Sequence, residues 1–275
     1  MQSMNLSKEN GIRVKIIKSI LIAFSMYSRI PVPQFKWEEE EYSHAITFLP
    51  LIGMVIGGLE IGLWILCCRF KVPVFVTSLL LCLVPVVITG GFHLDGYMDV
   101  CDALSSYSGR ERSLEIMKDP HIGAFAVIGF ARYSLLFILG AYLLAYAGAG
   151  DTDYMGIYLF ALLFVFVRAL CGVLSLVLPK AKSDGMLSRE AGKTGSADFM
   201  FLTFLASVSG LFMIYINLMA GAFAFLALII FCFYYAYLCN KKFGGVTGDT
   251  AGMFVARGEL IGLLVLAVCF FVVRL

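Results

Sequence analysis

The 275 residues are 60% hydrophobic and only 15% charged, where a soluble domain of this size carries about a quarter charged residues, and the mean hydropathy is +0.90. Water alone cannot be the solvent of such a chain. A net charge of +2 gives no sign of nucleic acid as a partner, because the cations are accounted for by loops at membrane borders.

The first segment places Lys8, Arg13, Lys15 and Lys18 before a short apolar run at 20–24, then continues into Tyr27-Ser28-Arg29-Ile30-Pro31 without a small-residue cleavage site. Cations interleaved with Ile and Val predict a helix lying on anionic lipid headgroups. A re-entrant helix is the alternative. Seven apolar blocks follow, at 45–68, 72–92, 123–147, 155–178, 199–218, 220–239 and 251–273. Each has about 20 residues or more, enough for a helix to cross a hydrocarbon core of about 30 Å. Unbroken apolar runs exclude the alternation of a membrane barrel. The expected fold class is therefore all-α, a polytopic integral membrane bundle of about seven spans plus the N-terminal helix, in one domain covering 1–275. The eight cysteines form no CxxC pair, and Cys82, Cys171, Cys232 and Cys269 lie inside apolar runs. They read as small core hydrophobes rather than as a disulfide framework or zinc site.

Basic residues on short loops set orientation. They gather in the N-terminal segment and in three later loops, with Arg110, Arg112 and Lys118, then Lys180, Lys182, Arg189 and Lys193, then Lys241 and Lys242. The connection at 148–154 has two aspartates and no cation, and only Arg69 and Lys71 disagree. The expected topology has the N-terminus and the basic loops in the cytoplasm, Leu275 outside, and an odd number of spans in the cell (inner) membrane. Two inner loops, 93–122 and 179–198, are long and polar, where function concentrates when a rigid scaffold holds them.

The strongest local signal is Gly90-Gly91-Phe92-His93-Leu94-Asp95-Gly96-Tyr97-Met98-Asp99-Val100-Cys101-Asp102. Its aspartates stand at i, i+4 and i+7, within roughly 60° of one another on a helix. Like charges so placed repel. A divalent cation turns that repulsion into binding, and carboxylate oxygens suit Mg²⁺; the bland alternative is a solvated turn whose carboxylates cap helices. His93 reads equally as a packing residue. Downstream, Leu114, Met117 and Ile122 give an amphipathic edge, while Lys118 and Asp119 before Pro120 can instead face the same cleft as the aspartates. A second element, Lys241 to Gly252, contains Gly244, Gly245, Thr247, Gly248 and Asp249 and opens the last span, so backbone N–H groups can meet an anion there. Asp249 is either a further metal ligand or the cap of that helix. Arg132, Arg168 and Arg257 lie inside spans, where charge requires a partner or a wet cavity. Glu60 and Glu259 are the candidate partners, and a pyrophosphate is the other.

Taken together, these motifs resemble the adenosylcobinamide-GDP ribazoletransferases, or cobalamin synthases. The resemblance runs from Ser28-Arg29-Ile30-Pro31-Val32-Pro33 and Phe48-Leu49-Pro50-Leu51-Ile52-Gly53 through His93-Leu94-Asp95-Gly96 with Asp99 and Asp102. It continues in Glu115-Ile116-Met117-Lys118-Asp119, Pro179-Lys180-Ala181-Lys182-Ser183-Asp184-Gly185 and Gly244-Gly245-Val246-Thr247-Gly248-Asp249. The chain departs from the family pattern at Tyr97 and Met98, where small residues are usual, and at Ala103, where glycine is. The resemblance implies a Mg²⁺-dependent transfer in which α-ribazole or its 5′-phosphate attacks adenosylcobinamide-GDP and GMP leaves. It assigns Asp95, Asp99, Asp102 and Asp249 to the metal. Catalytic roles fall to His93, Asp95, Lys118, Asp119 and Arg168, and substrate binding to Arg132, Arg257 and the Gly244–Gly248 loop. The expected partners are these small molecules and membrane lipid, with homo-oligomerisation left open. Rival readings are another intramembrane phospho- or prenyl-transferase and, from a different class, an ion-coupled transporter, against which stand the missing repeat and the polar residues crowding one side.

Overall fold

The computed structural model describes residues 2–148, 154–181, 185–191 and 194–274. Twelve α-helices are described: α1 Gln2–Tyr27, α2 Glu39–Tyr42, α3 Leu49–Arg69, α4 Val74–Thr89, α5 Phe92–Ser105, α6 Arg110–Ile116, α7 Ala124–Gly148, α8 Met155–Val177, α9 Met186–Ala191, α10 Ser196–Ile216, α11 Leu218–Phe243 and α12 Gly248–Arg274. A 3₁₀ turn, Ala45–Phe48, leads into α3. Asp151, Asp153, Lys182, Ser183, Asp184, Lys193 and Leu275 lie outside the described residues, as do the side chains of Lys8 and Arg13.

Six helices are long and apolar enough to cross a membrane, and α4 with α5 makes a further pair bent by 92°. The chain is a multi-pass membrane protein. Leu135, Phe204, Leu211, Leu218 and Phe233 are exposed at or near span surfaces, a pattern that suits lipid and not water. The expected straight span at 72–92 is corrected. Helix α4 has 16 residues, about 24 Å, and stops at Gly90 and Gly91, both left-handed with φ of 63° and 81°. Glycine adopts that region without the Cβ clash of other residues. After the bend, α5 runs back beside α7, so that Asp102 meets Gly123 and Ala126 at the start of α7. The pair is either a broken span, which makes the expected seven crossings, or a re-entrant loop, which leaves six.

Helix α8 is the axis of the bundle, with Leu159, Phe160, Leu163, Phe164, Phe166 and Val167 buried. Helix α3 lies against it backbone to backbone: a Cβ at Gly53 would stand 2.5 Å from the Phe164 carbonyl oxygen, and one at Gly57 would stand 2.6 Å from that of Ala161. Small residues four apart permit this approach, which dispersion and not water drives within lipid. Helix α1 is not among the crossing helices. Its Ser19, Ile22, Ala23 and Tyr27 are buried, while Val14, Ile16 and Ile17 are exposed. Lys18 does not simply face headgroups, since it pairs with Glu41 at 2.8 Å.

The Tyr27 and Tyr42 hydroxyls donate to the two oxygens of Glu190 on α9, at 2.7 and 3.3 Å. Burial pushes the Glu190 carboxyl up to about 7, against the opposing pull of the tyrosine hydroxyls. The folded protein therefore keeps a proton that the unfolded chain releases near pH 4.5. Stability should fall as pH rises from about 4.5 to 7, by something on the order of 2 kcal/mol, and level off above. Unfolding of parent and Glu190→Gln in mixed micelles at pH 5 and pH 8 checks this, since the glutamine variant should lose that part of the slope.

Candidate active site

Helix α5 presents Asp95, Asp99 and Asp102 in the expected helical register. The crossing of α5 with α12 adds the fourth carboxylate. A Cβ at Gly96 would stand 2.8 Å from both the Cα and the carbonyl oxygen of Asp249, and one at Gly252 would stand 3.1 Å from the carbonyl oxygen of His93. Two glycines thus let the helices meet where Asp249 can join the stripe. The charges bearing on the half-buried Asp99 carboxylate are those of Asp249, Asp95 and Asp102, in that order. Gly96→Ala should force α12 away from α5 and lower turnover by about 10²-fold, the usual cost of a misplacement near 1 Å. Gly58→Ala, where a Cβ meets nothing within 4 Å, is the control that should leave turnover unchanged. Equal rates for both variants would exclude the crossing as a determinant of the site.

The four carboxylates are not equivalent. Gly123 N–H and Ala126 N–H each donate at 2.8 Å to the two oxygens of Asp102. Asp102 therefore caps α7 across a loop, the role that the bland reading foresaw for it. Asp249 stands in the first turn of α12, inside the N-cap position. That position belongs to Thr247, because Thr250 N–H donates to Thr247 Oγ1 at 3.1 Å and Thr247 N–H to Thr250 Oγ1 at 2.8 Å, a reciprocal capping box. Among the described residues no three His, Cys, Asp or Glu side chains form a ready metal cage. The donor set still suits Mg²⁺, which is commonly held by one or two carboxylates together with substrate phosphates and water.

The glycine-rich loop is held by its neighbours. Val246 N–H donates to the Pro179 carbonyl at 2.8 Å and Ala181 N–H to the Val246 carbonyl at 3.0 Å. The Arg110 guanidinium covers Gly244, whose φ is 71° and whose missing Cβ leaves it room. Gly245 packs equally closely on Pro179 and Ala181.

Other predicted site residues have contacts of their own. Asp119 turns onto His121, accepting from its backbone N–H at 3.0 Å and meeting its Nδ1 at 2.7 Å. Those hydrogen bonds hold its carboxyl below the usual range. Lys118 is exposed, and neither residue is among the charges bearing on Asp99. Met117 is buried, but Ile122 is exposed and does not extend the apolar edge. Arg257 stacks over the Tyr97 ring at 5.5 Å, and the Tyr97 hydroxyl, which bears on the Arg132 guanidinium, donates to the Gly129 carbonyl at 3.3 Å. A tyrosine at the departure from the family pattern thus engages both arginines. Arg168 is fully buried and paired with Glu259, and it also donates to the Phe164 carbonyl at 3.1 Å. The pairing reading holds for it, with Glu259 as partner. Glu60 is buried with neither oxygen hydrogen-bonded among the described residues.

Sequence reasoning gave Arg29 no role. It follows the last turn of α1, where its N–H donates to the Ile88 carbonyl at 2.7 Å, and its guanidinium fills the space that a side chain at Gly90 would need. With Asp95, Gly90, Gly91, Ser28 and Met98 it lines a chamber of about 660 Å³. The signal was the extended Arg29-Ile30-Pro31-Val32-Pro33 stretch, because residues preceding proline are held out of the helix. That exit brings the arginine back across the break between α4 and α5.

The sequence model described as cobalamin-5-phosphate synthase matches residues 19–267. The chain belongs to the cobalamin-5-phosphate synthase family. It is 36% identical to the adenosylcobinamide-GDP ribazoletransferase of Lachnoclostridium phytofermentans, over 93% of this chain and 95% of the relative. A protein of the same description from Geotalea daltonii is 31% identical, covering 91% and 97%, and one from Clostridium perfringens strain 13 is 30% identical, covering 91% and 98%. No solved structure matches the chain. Every motif quoted for the resemblance, from Arg29 to Asp249, lies inside the matched span.

Proposed function

We propose that this cobalamin-5-phosphate synthase family member transfers the adenosylcobinamide-phosphate group of adenosylcobinamide-GDP to α-ribazole or its 5′-phosphate. A ribose hydroxyl oxygen forms a bond to the cobinamide-side phosphorus. The bridging P–O bond breaks, GMP leaves with its electron pair, and the hydroxyl proton passes to a carboxylate of the cluster or to water. The observation that carries this reading is the Gly96 crossing of α5 with α12, where the charges of Asp249 and Asp95 bear on Asp99, beside the chamber lined by Arg29 and Asp95.

Asp95, Asp99 and Asp249 would hold Mg²⁺, which supplies neutralisation of the diphosphate charge. Asp102 shapes the site by fixing α7. Arg29 is placed to meet phosphate oxygens, whereas the N–H groups of Gly91 and of Gly244 to Thr247 already donate within the protein, so the glycine-rich loop shapes the start of α12 rather than cradling an anion with those groups. Such catalysis is chiefly positioning and electrostatics, so a dedicated base is not required. The catalytic end is assigned to the cytoplasm of a cell (inner) membrane, because Arg110, Arg112, Lys118, Lys180, Lys241 and Lys242 stand at that end of the spans.

The test is incubation of detergent-solubilised protein with adenosylcobinamide-GDP, α-ribazole and Mg²⁺, with mass spectrometry for the cobamide and for GMP. Product should form, and omission of Mg²⁺ should abolish it. Turnover without a sealed membrane also separates an enzyme from a transporter. Failure to form a cobamide under these conditions defeats the proposal.

A further inference from the structure

A second, smaller chamber of about 240 Å³ lies behind the first and shares Val86, Thr89, Leu94 and Phe130 with it. Most of its wall is apolar, with Leu83, Pro85, Tyr133, Phe137 and Ile138. Its polar wall is His93, Arg168 and Glu259. Arg168 Nε and Nη2 and His93 Nε2 are buried and unpartnered among the described residues. The two Arg168 nitrogens are unpaired donors, costly at this depth, while His93 Nε2 gives or takes the hydrogen according to its tautomer, and the Glu259 carboxylate already balances the Arg168 charge. An anion is therefore not called for. The wall asks for a neutral ligand with an apolar edge and a hydrogen-bond acceptor.

We infer that this inner chamber binds the flat bicyclic base of the acceptor nucleoside, its free ring nitrogen accepting from Arg168 or His93. The inference rests on the transferase reading and deepens it by assigning the acceptor's subsite. An apolar cavity of about 150 Å³ takes benzene, so about 240 Å³ has room for two fused rings. A corrin macrocycle is far too large. Guanine is polar on every edge, with acceptors at O6 and N7 and donors at N1 and N2, more groups than His93, Arg168 and Glu259 can satisfy in an otherwise apolar wall, whereas a dimethylbenzimidazole offers one acceptor and otherwise apolar surface. With the base inside, the ribose emerges past Leu94 into the outer chamber, beside Asp95.

The test is Ser134→Phe, which narrows the inner chamber and touches none of the carboxylates. With detergent-solubilised protein, the KM for α-ribazole should rise about tenfold or more and that for adenosylcobinamide-GDP should stay within about twofold. The nucleoside of unsubstituted benzimidazole, smaller by two methyl groups, should lose less. An unchanged KM for α-ribazole, or equal rises for both substrates, overturns the assignment. Free 5,6-dimethylbenzimidazole provides a measurement on the parent protein, independent of how the variant folds. It should inhibit competitively against α-ribazole but not against adenosylcobinamide-GDP. Its binding, followed by its own fluorescence, decides the matter even without turnover, in which case the transferase reading fails separately. No binding at millimolar concentration overturns the inference.

Discussion

Replacing Asp99 with Asn is expected to lower kcat by about 10³-fold or more while leaving the melting temperature unchanged or higher. The two effects separate because the carboxylate is costly in the resting protein. It is half-buried, and the charges that bear on it are the like charges of Asp249, Asp95 and Asp102. Asparagine keeps the shape and removes one repulsion, so folding gains what catalysis loses. Asp95→Asn should behave the same way. Asp102→Ala should differ in kind, since its oxygens cap α7, and losing that cap costs about 0.5–2 kcal/mol of stability. Rates and melts of the three variants in one detergent check the pattern. Near-parent turnover in both Asp95→Asn and Asp99→Asn would remove the metal assignment.

The second large effect concerns stability. Glu259→Ala should destabilise the protein by about 3–5 kcal/mol, because it leaves the fully buried Arg168 guanidinium uncompensated. Both residues lie about 15 Å along their helices from the catalytic end, where lipid offers no alternative solvation. The double variant Arg168→Met with Glu259→Ala should regain most of the loss, since apolar replacements of buried ion pairs are often neutral or better. Equilibrium unfolding in mixed micelles measures both. A neutral single variant would mean that the pair contributes nothing at this depth.

What the sequence made legible was whatever depends on local spacing. The apolar blocks predicted the spans, and the i, i+4, i+7 aspartates predicted one helical stripe. The four-residue spacing of Gly53 and Gly57, unremarked in the sequence, fixes the approach of α3 to α8. Contacts that join distant segments were not legible. Nothing near Asp102 indicates that Gly123 and Ala126 will donate to it, and nothing near Asp249 says that Gly96 admits its backbone. The break between α4 and α5 had a local signal, the Gly90-Gly91 pair, but an apolar run on one side and an acidic motif on the other drew the boundary two residues late. Thr247 and Thr250 capping each other were overlooked in favour of the charged Asp249, although Thr-x-x-Thr before an apolar run is itself a start signal. Arg168 illustrates a different limit: sequence can name Glu60 and Glu259 as partners but cannot choose between them.

The meeting of α5 with α12 has a consequence for biosynthesis. Helix α5 is made before α12, so more than half of the 275 residues separate the synthesis of Asp99 from that of Asp249, which completes the carboxylate group. Until that final helix threads into the lipid beside Gly96, a partly translated protein has only a self-repelling acidic helix and nothing opposite to close the site. Closure of the carboxylate group thus waits for α12, and a chain halted before Gly248 would lack its fourth member.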